Sequence, residues 1–228
     1  MRFEALLFDC DGVLVDSEAI TCGVLRDMLE EKGWQLTLAD CMAHFVGHTV
    51  RNRAQLIFEH TGWRLSDDWL EQFYQRRNER LASQIRAVEG VHDVLEQQLM
   101  PRYGARMAVA SGADRFKVEM MLAKVGLLDF FSGRIFSGHE VARSKPAPDV
   151  YLAAAAHLQV DPRRCLVIED TPVGIAAGVA AGATVWAYCP PGASAQSLRE
   201  AGAVRLLGSM RELHHATAPA CCAPPRGH

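Results

Sequence analysis

The chain has 228 residues, 49% of them apolar and 22% charged, with a formal net charge of -3. That length suits one large domain or a core carrying a small insert. With a slightly negative balance, no basic excess points to nucleic acid, and no apolar run approaches the ~20 residues of a membrane helix.

Seven cysteines with no C-x-x-C pair suit reduced thiols better than a disulfide framework. Met1-Arg2-Phe3-Glu4 leads straight into an apolar strand, without the pattern of a secretory leader, so the expected location is the cytoplasm. No partner beyond a small molecule is expected, and the chain reads as a monomer or weak homodimer.

The first element is a buried strand over Ala5 to Phe8, ending on Asp9-Cys10-Asp11-Gly12. Residues i and i+2 of a strand share a side, so Asp9 and Asp11 leave its end together. Two such anions need a counter-charge, which a hard cation such as Mg²⁺ supplies. One carboxylate then suits a nucleophile and the other an acid/base.

Residues 18–87 contain no convincing β run. Leu25, Met28 and Leu29 fit a helix stopped by Gly33, and Leu38 to Phe45 a second ended by Gly47. Val50, Ala54, Ile57 and Phe58 fit a third, ended near Gly62. Ser66 caps a fourth, running through Trp69, Leu70, Phe73, Arg77 and Leu81. This predicts an all-helical insert over 18–87 between two parts of an α/β core, 1–17 and 88–213.

From Val88 strands and helices alternate. Gly90 starts a helix through Leu99; Met107 to Ala110 is a strand closed by Ser111-Gly112; Lys117 to Val125 is a helix. Arg134 to Phe136 is a strand and Asp149 to Leu158 a helix. Cys165 to Ile168 is a strand ending on Glu169-Asp170, followed by a helix over Pro172 to Ala181. Thr184 to Ala187 and Arg205 to Leu207 are the last strands. The rhythm predicts a doubly wound parallel sheet, whose ligands bind beyond the carboxyl ends of the strands. Asp9, Asp11, Ser111, Glu169 and Asp170 all fall there. Residues 214–228 read as a mobile tail, with Cys221-Cys222 and its histidines given no role.

Ser111 and Gly112 offer a hydroxyl and backbone N–H groups to a phosphate oxygen, or a simple N-cap. Lys145, in a loop stiffened by Pro146 and Pro148, suits phosphate charge. Glu169 and Asp170 complete an oxygen-rich Mg²⁺ site with Asp9, or answer a helix dipole.

In this order and spacing the motifs resemble the haloacid dehalogenase superfamily, in its branch with a helical cap after the first motif. They are Asp9-Cys10-Asp11-Gly12-Val13-Leu14-Val15-Asp16-Ser17-Glu18, Ala110-Ser111-Gly112, Lys145-Pro146-Ala147-Pro148-Asp149-Val150-Tyr151, and Ile168-Glu169-Asp170-Thr171-Pro172-Val173-Gly174-Ile175-Ala176-Ala177-Gly178. The resemblance spans residues 3 to 208. It implies Asp9 as a nucleophile forming an aspartyl-phosphate and Asp11 as acid/base. It implies Mg²⁺ held by Asp9, the Asp11 carbonyl, Glu169 and Asp170, and a phosphoryl group held by Ser111 and Lys145.

Asp11 favours phosphate chemistry, since the dehalogenase members resembled here lack the second carboxylate. Phosphonate-cleaving members use a cap lysine, and the one cap lysine here, Lys32, lies at a helix end. β-Phosphoglucomutase shares the cap and all four motifs. It carries a histidine where this chain has Ala19-Ile20-Thr21-Cys22, and its Gly-to-Arg cap loop is one residue shorter than Gly47-His48-Thr49-Val50-Arg51. The expectation is a phosphatase of a small sugar phosphate, sugar-acid phosphate or phosphoglycolate, with a mutase as the alternative. An inactive module binding phosphorylated ligands is the reading from another class. His48 and Arg51 are the expected cap contacts to an anionic substrate, with Arg53 a weaker one. Asp16-Ser17 and Val88-Glu89-Gly90 are the expected hinges.

Overall fold

The computed structural model describes residues 3–190 and 194–217. Strand β1 (Ala5–Phe8) is buried along its whole length and pairs in parallel with β2 (Met107–Ser111) on one side and β4 (Cys165–Glu169) on the other. β3 (Ile135–Ser137) flanks β2, while β5 (Thr184–Tyr188) and β6 (Arg205–Leu207) extend the other side. The sheet has six parallel strands in the order β3-β2-β1-β4-β5-β6. Its order reverses about β1, so the carboxyl end of β1 lies at the crevice such sheets open to ligands.

Both faces are covered, which is why the strands read as unbroken apolar runs rather than alternating ones. Alternate residues serve opposite faces. Leu6, Phe8, Met107, Val109, Leu166 and Ile168 join one apolar cluster, and Ala5, Leu7, Ala108, Ala110, Cys165 and Val167 join the other.

Between β1 and β2 the chain forms α1 (Glu18–Glu30), α2 (Leu38–Phe45), α3 (Ala54–Thr61) and α4 (Asp67–Gln84). Thr37 and Asp40 make a capping box on α2, and Ser66 Oγ accepts from Trp69 N at the start of α4. These helices share a core of their own, with Leu25, Leu29, Phe45, Ile57, Trp69 and Phe73 buried together. They join the sheet domain through two crossings that run side by side. Asp16 N donates to Arg86 O at 3.0 Å and Val88 N to Leu14 O at 3.0 Å, around a Val15–Ala87 antiparallel bridge.

After the second crossing, α5 (Val91–Val94) continues through a π-helical turn at Leu95–Leu99 into α6 (Met100–Tyr103). The remaining layers are α7 (Arg115–Lys124), α8 (Asp149–His157), α9 (Pro172–Ala180), α10 (Ala195–Glu200) and α11 (His214–Thr217). α10 escapes the sequence pattern because it is two turns long and buries only Leu198.

Of the tail expected from His214, the structure describes residues 214–217. His214–Thr217 forms a helical turn, Ala216 is 3% exposed, and its carbonyl accepts from the Tyr103 hydroxyl at 3.0 Å. A small apolar residue on a buried ring outweighs the low complexity of the segment. Cys221, Cys222 and His228 lie outside the described residues. Among the described residues, no helix is long and apolar enough to cross a membrane.

Candidate active site

A cavity of about 460 Å³ lies between the carboxyl edge of the sheet and helices α1 to α4. Asp9, Asp11, Ser111, Gly112, Lys145 and Glu169 line it from the sheet side. β1 delivers the first two, because Asp9 N continues the ladder to Ile168 O at 2.9 Å before the chain turns at Cys10. Ser111 ends the neighbouring strand β2 and is 1% exposed, and Glu169 ends β4 at 1%.

The four strand-end carboxylates, Asp9, Asp11, Glu169 and Asp170, divide into three environments. Lys145 Nζ donates to Asp9 Oδ1 at 2.7 Å and to Glu169 Oε1 at 2.8 Å. Burial drives the proton affinity of Asp9 up; Lys145 opposes this, Glu169 and Asp11 add to it, and the pKa is pushed up to about 7. Glu169 is also buried, but Lys145 and the backbone N–H groups of Thr171 and Asp170 outweigh that and hold its carboxyl below the ordinary range.

Both Glu169 oxygens are fully engaged. Oε1 accepts from Lys145 and from the Tyr151 hydroxyl at 3.1 Å; Oε2 accepts from Asp170 N, Thr171 N and Thr171 Oγ1. Gly174, in the first turn of α9, makes room for this: a Cβ there would lie 1.5 Å from Glu169 Oε1.

Asp11 is held separately. Lys117 Nζ donates to its Oδ1 at 2.7 Å, and Ser17 Oγ donates to the same oxygen. Burial raises its proton affinity, but these two partners overcome that and hold the pKa below the ordinary value.

Asp170 is the remaining carboxylate. The residue is half-buried, its Oδ1 is buried without a hydrogen-bond partner, and desolvation with the charges of Glu169 and Asp9 drives its pKa well up. Its Oδ2 packs over Gly12, where a Cβ would lie 2.0 Å away and where φ is +74°.

One oxygen from each of Asp9, Glu169 and Asp170 lies within 4.8 Å of the others. An all-oxygen donor set with one buried, orphaned carboxylate oxygen fits a hard divalent cation such as Mg²⁺. Glu169 organises that set from behind, through Lys145 and the Asp170 backbone, while Asp9 and Asp170 keep free oxygens.

On the cap side His48 lines the cavity, exposed, its pKa lowered by partial burial and by Arg53. Arg51, the other expected cap contact, is absent from the lining and pairs with Asp67 at 2.6 Å, its side chain 65% exposed. The 3₁₀ turn at Arg51–Arg53 turns it towards the start of α4. Arg53 lies outside the lining as well. Lys32 is spent on the Trp63 ring, 4.9 Å from its centroid, and does not reach the cavity.

Sequence reasoning missed Lys117 and Arg77, both of which line the cavity. A signal for Lys117 was present. The chain has four lysines among 24 basic residues, so surface charge falls to arginine, and two of those lysines, Lys117 and Lys145, are the ones at this site.

A doubly wound sheet with two aspartates beyond its first strand, a lysine bridging the first of them to Glu169, and a helical cap defines a carboxylate-centred hydrolase. The chain belongs to the haloacid dehalogenase-like hydrolases, matching that family over residues 3–182. It is similar to 6-phosphogluconate phosphatase of Escherichia coli (strain K12), 30% identical over 82% of this chain and 83% of that protein. Fructose-1-phosphate phosphatase YqaB of the same organism is 31% identical over 79% of this chain and 94% of that one. Among solved structures, a HAD family hydrolase from Deinococcus radiodurans R1 with bound phosphate and sodium superposes with a TM-score of 0.80. It is 35% identical, covering 95% of this chain and 96% of that one.

Proposed function

We propose that this chain is a Mg²⁺-dependent phosphatase of a small phosphorylated metabolite, working through a phosphorylated Asp9. The observation that carries this is the separation of Asp9 from Asp11: adjacent carboxylates, each with its own lysine. Lys145 ties Asp9 to Glu169, while Lys117 and Ser17 hold Asp11 apart from it. Two carboxylates in distinct environments suit two distinct tasks. The phosphatase relatives support the same reading.

Asp9 attacks phosphorus through a carboxylate oxygen, and the bond from phosphorus to the ester oxygen breaks. Asp11 gives its proton to the departing alkoxide. The incoming phosphate is itself an anion, so it raises the proton affinity of Asp11 when it binds. Asp11 then takes a proton from water, which attacks phosphorus and releases phosphate from Asp9. Lys145, the Ser111 hydroxyl and the N–H groups about Gly112 balance charge on the phosphoryl oxygens. Asp9 and Asp170 would hold Mg²⁺, which would supply positive charge to offset that of the carboxylates and the phosphoryl group. The paired crossings at Val15 and Ala87 suit a hinge that closes α1 to α4 over the cavity and excludes bulk water.

The test is hydrolysis of p-nitrophenyl phosphate with Mg²⁺. Turnover that EDTA abolishes and Asp9→Asn removes is the expected result. An intact, folded protein that turns over neither this ester nor any sugar phosphate overturns the proposal.

A further inference from the structure

Arg77, on α4, is the one cap cation that reaches the cavity from a buried position. It is 9% exposed and lines the same space as Asp9 and Asp11. A guanidinium carries five N–H donors. Two of them, from Nε and Nη2, go to Asn78 Oδ1 at 3.1 and 2.9 Å. The nearest carboxylate is Asp114, 3.8 Å from Nη2, beyond hydrogen-bond distance. Burial works against the Arg77 charge, and Asp114 and Asp11 offset this only in part. The group is also pinned, lying 4.8 Å from the centroid of the Tyr74 ring and 5.9 Å from that of Phe73. A rigid, desolvated guanidinium with spare donors and no bonded counter-ion is a receptor for a carboxylate.

Thr21 supports the same subsite. Its Oγ1 is buried without a partner, and the residue lines the cavity from α1. Asp114 is already engaged: its Oδ1 caps α7, accepting from Lys117 N at 2.8 Å. It therefore stands near Arg77 without saturating it.

We infer that Arg77 binds a carboxylate at the end of the substrate remote from its phosphate, so the preferred substrates are phosphorylated carboxylic acids. The inference rests on the phosphatase reading above. Asp114 is the competitor that a substrate carboxylate outbids for Arg77, and Thr21 takes a neighbouring hydroxyl or carboxylate oxygen.

The experiment compares 6-phosphogluconate with glucitol 6-phosphate, open chains of equal length that differ in the terminal carboxylate. The intact protein is expected to favour the acid in kcat/KM. Arg77→Gln is expected to shrink that preference about 10–100-fold, mainly through KM, the range for losing a hydrogen bond to a charged group. Arg77→Lys recovers part of it. Asp114→Asn still caps α7 but removes the competing anion, so it is expected to widen the preference. It also keeps the test open should Arg77→Gln fail to fold. An intact protein that favours glucitol 6-phosphate overturns the inference, as does a preference that none of the three variants moves. Hydrolysis of p-nitrophenyl phosphate separates the two claims. If that ester is turned over while the acid preference is absent, only the role of Arg77 falls. If no phosphate ester is turned over, both claims fall.

Discussion

Lys117 Nζ lies 2.7 Å from Asp11 Oδ1, joining the first turn of α7 to the loop after β1 across 106 residues of sequence. With Ser17 donating to the same oxygen, it fixes where Asp11 points. Lys117→Met keeps the chain length and removes the charge. It is expected to lower kcat about 10²–10⁴-fold, the range for a positioned acid/base. Steady-state rates on p-nitrophenyl phosphate, with circular dichroism to verify the fold, decide it. An undiminished kcat would remove Lys117 from the chemistry.

Lys145 bridges two buried carboxylates, with its own side chain 8% exposed. Removing one partner from such a cluster leaves charge uncompensated, at a cost of about 3–5 kcal/mol. Lys145→Met is expected to lose stability on that scale, read as the urea midpoint in EDTA. Adding Glu169→Gln is expected to recover part of the loss, because the two residues are coupled. Equal midpoints for intact protein and Lys145→Met would contradict the bridge.

Gly174 is a packing requirement rather than a helix breaker. A Cβ at 1.5 Å from Glu169 Oε1 has to displace that side chain, and with it the hold on Lys145. Gly174→Ala is therefore expected to cost about 1–3 kcal/mol despite the better helix propensity of alanine. Activity is expected to fall with it. Thermal unfolding and kcat are the measurements, and a stabilised, fully active variant would contradict the packing.

Arg51 faces solvent, so Arg51→Ala is expected to leave kcat/KM within about twofold, as for most exposed ion pairs. A large rise in KM on sugar phosphates would mean that α2 and α3 move far enough on closure to bring Arg51 into the cavity.

Thr21, one turn after Ser17, is not a titratable gate on hydrolysis, so water is expected to accept the phosphoryl group. With β-glucose 1-phosphate, the expected products are glucose and phosphate. Glucose 6-phosphate as the dominant product would make the enzyme a mutase.

The sheet edge was legible from residue types alone. Asp9, Asp11, Ser111, Glu169 and Asp170 each follow an apolar run, and the end of a buried strand is a local signal. The pair of aspartates after β1 called for a counter-charge, which Lys145 and Lys117 partly supply; the class of chemistry came from the resemblance of the whole motif set.

Lys117, Arg77 and Arg51 show the opposite case. All three are cations on or beside helices, and nothing local distinguishes a helix face that looks into a cavity from one that looks into water. Lys117 and Arg77 turn inward because α7 and α4 pack together at the cavity mouth, while Arg51 turns outward to Asp67. Asp9, Asp11 and the strand ends were thus written in short-range order, which burial of a strand enforces within a few residues. Which cations meet them was settled by the packing of α4 and α7, because charge pairs across the fold form only where distant helices bring them within a few ångströms.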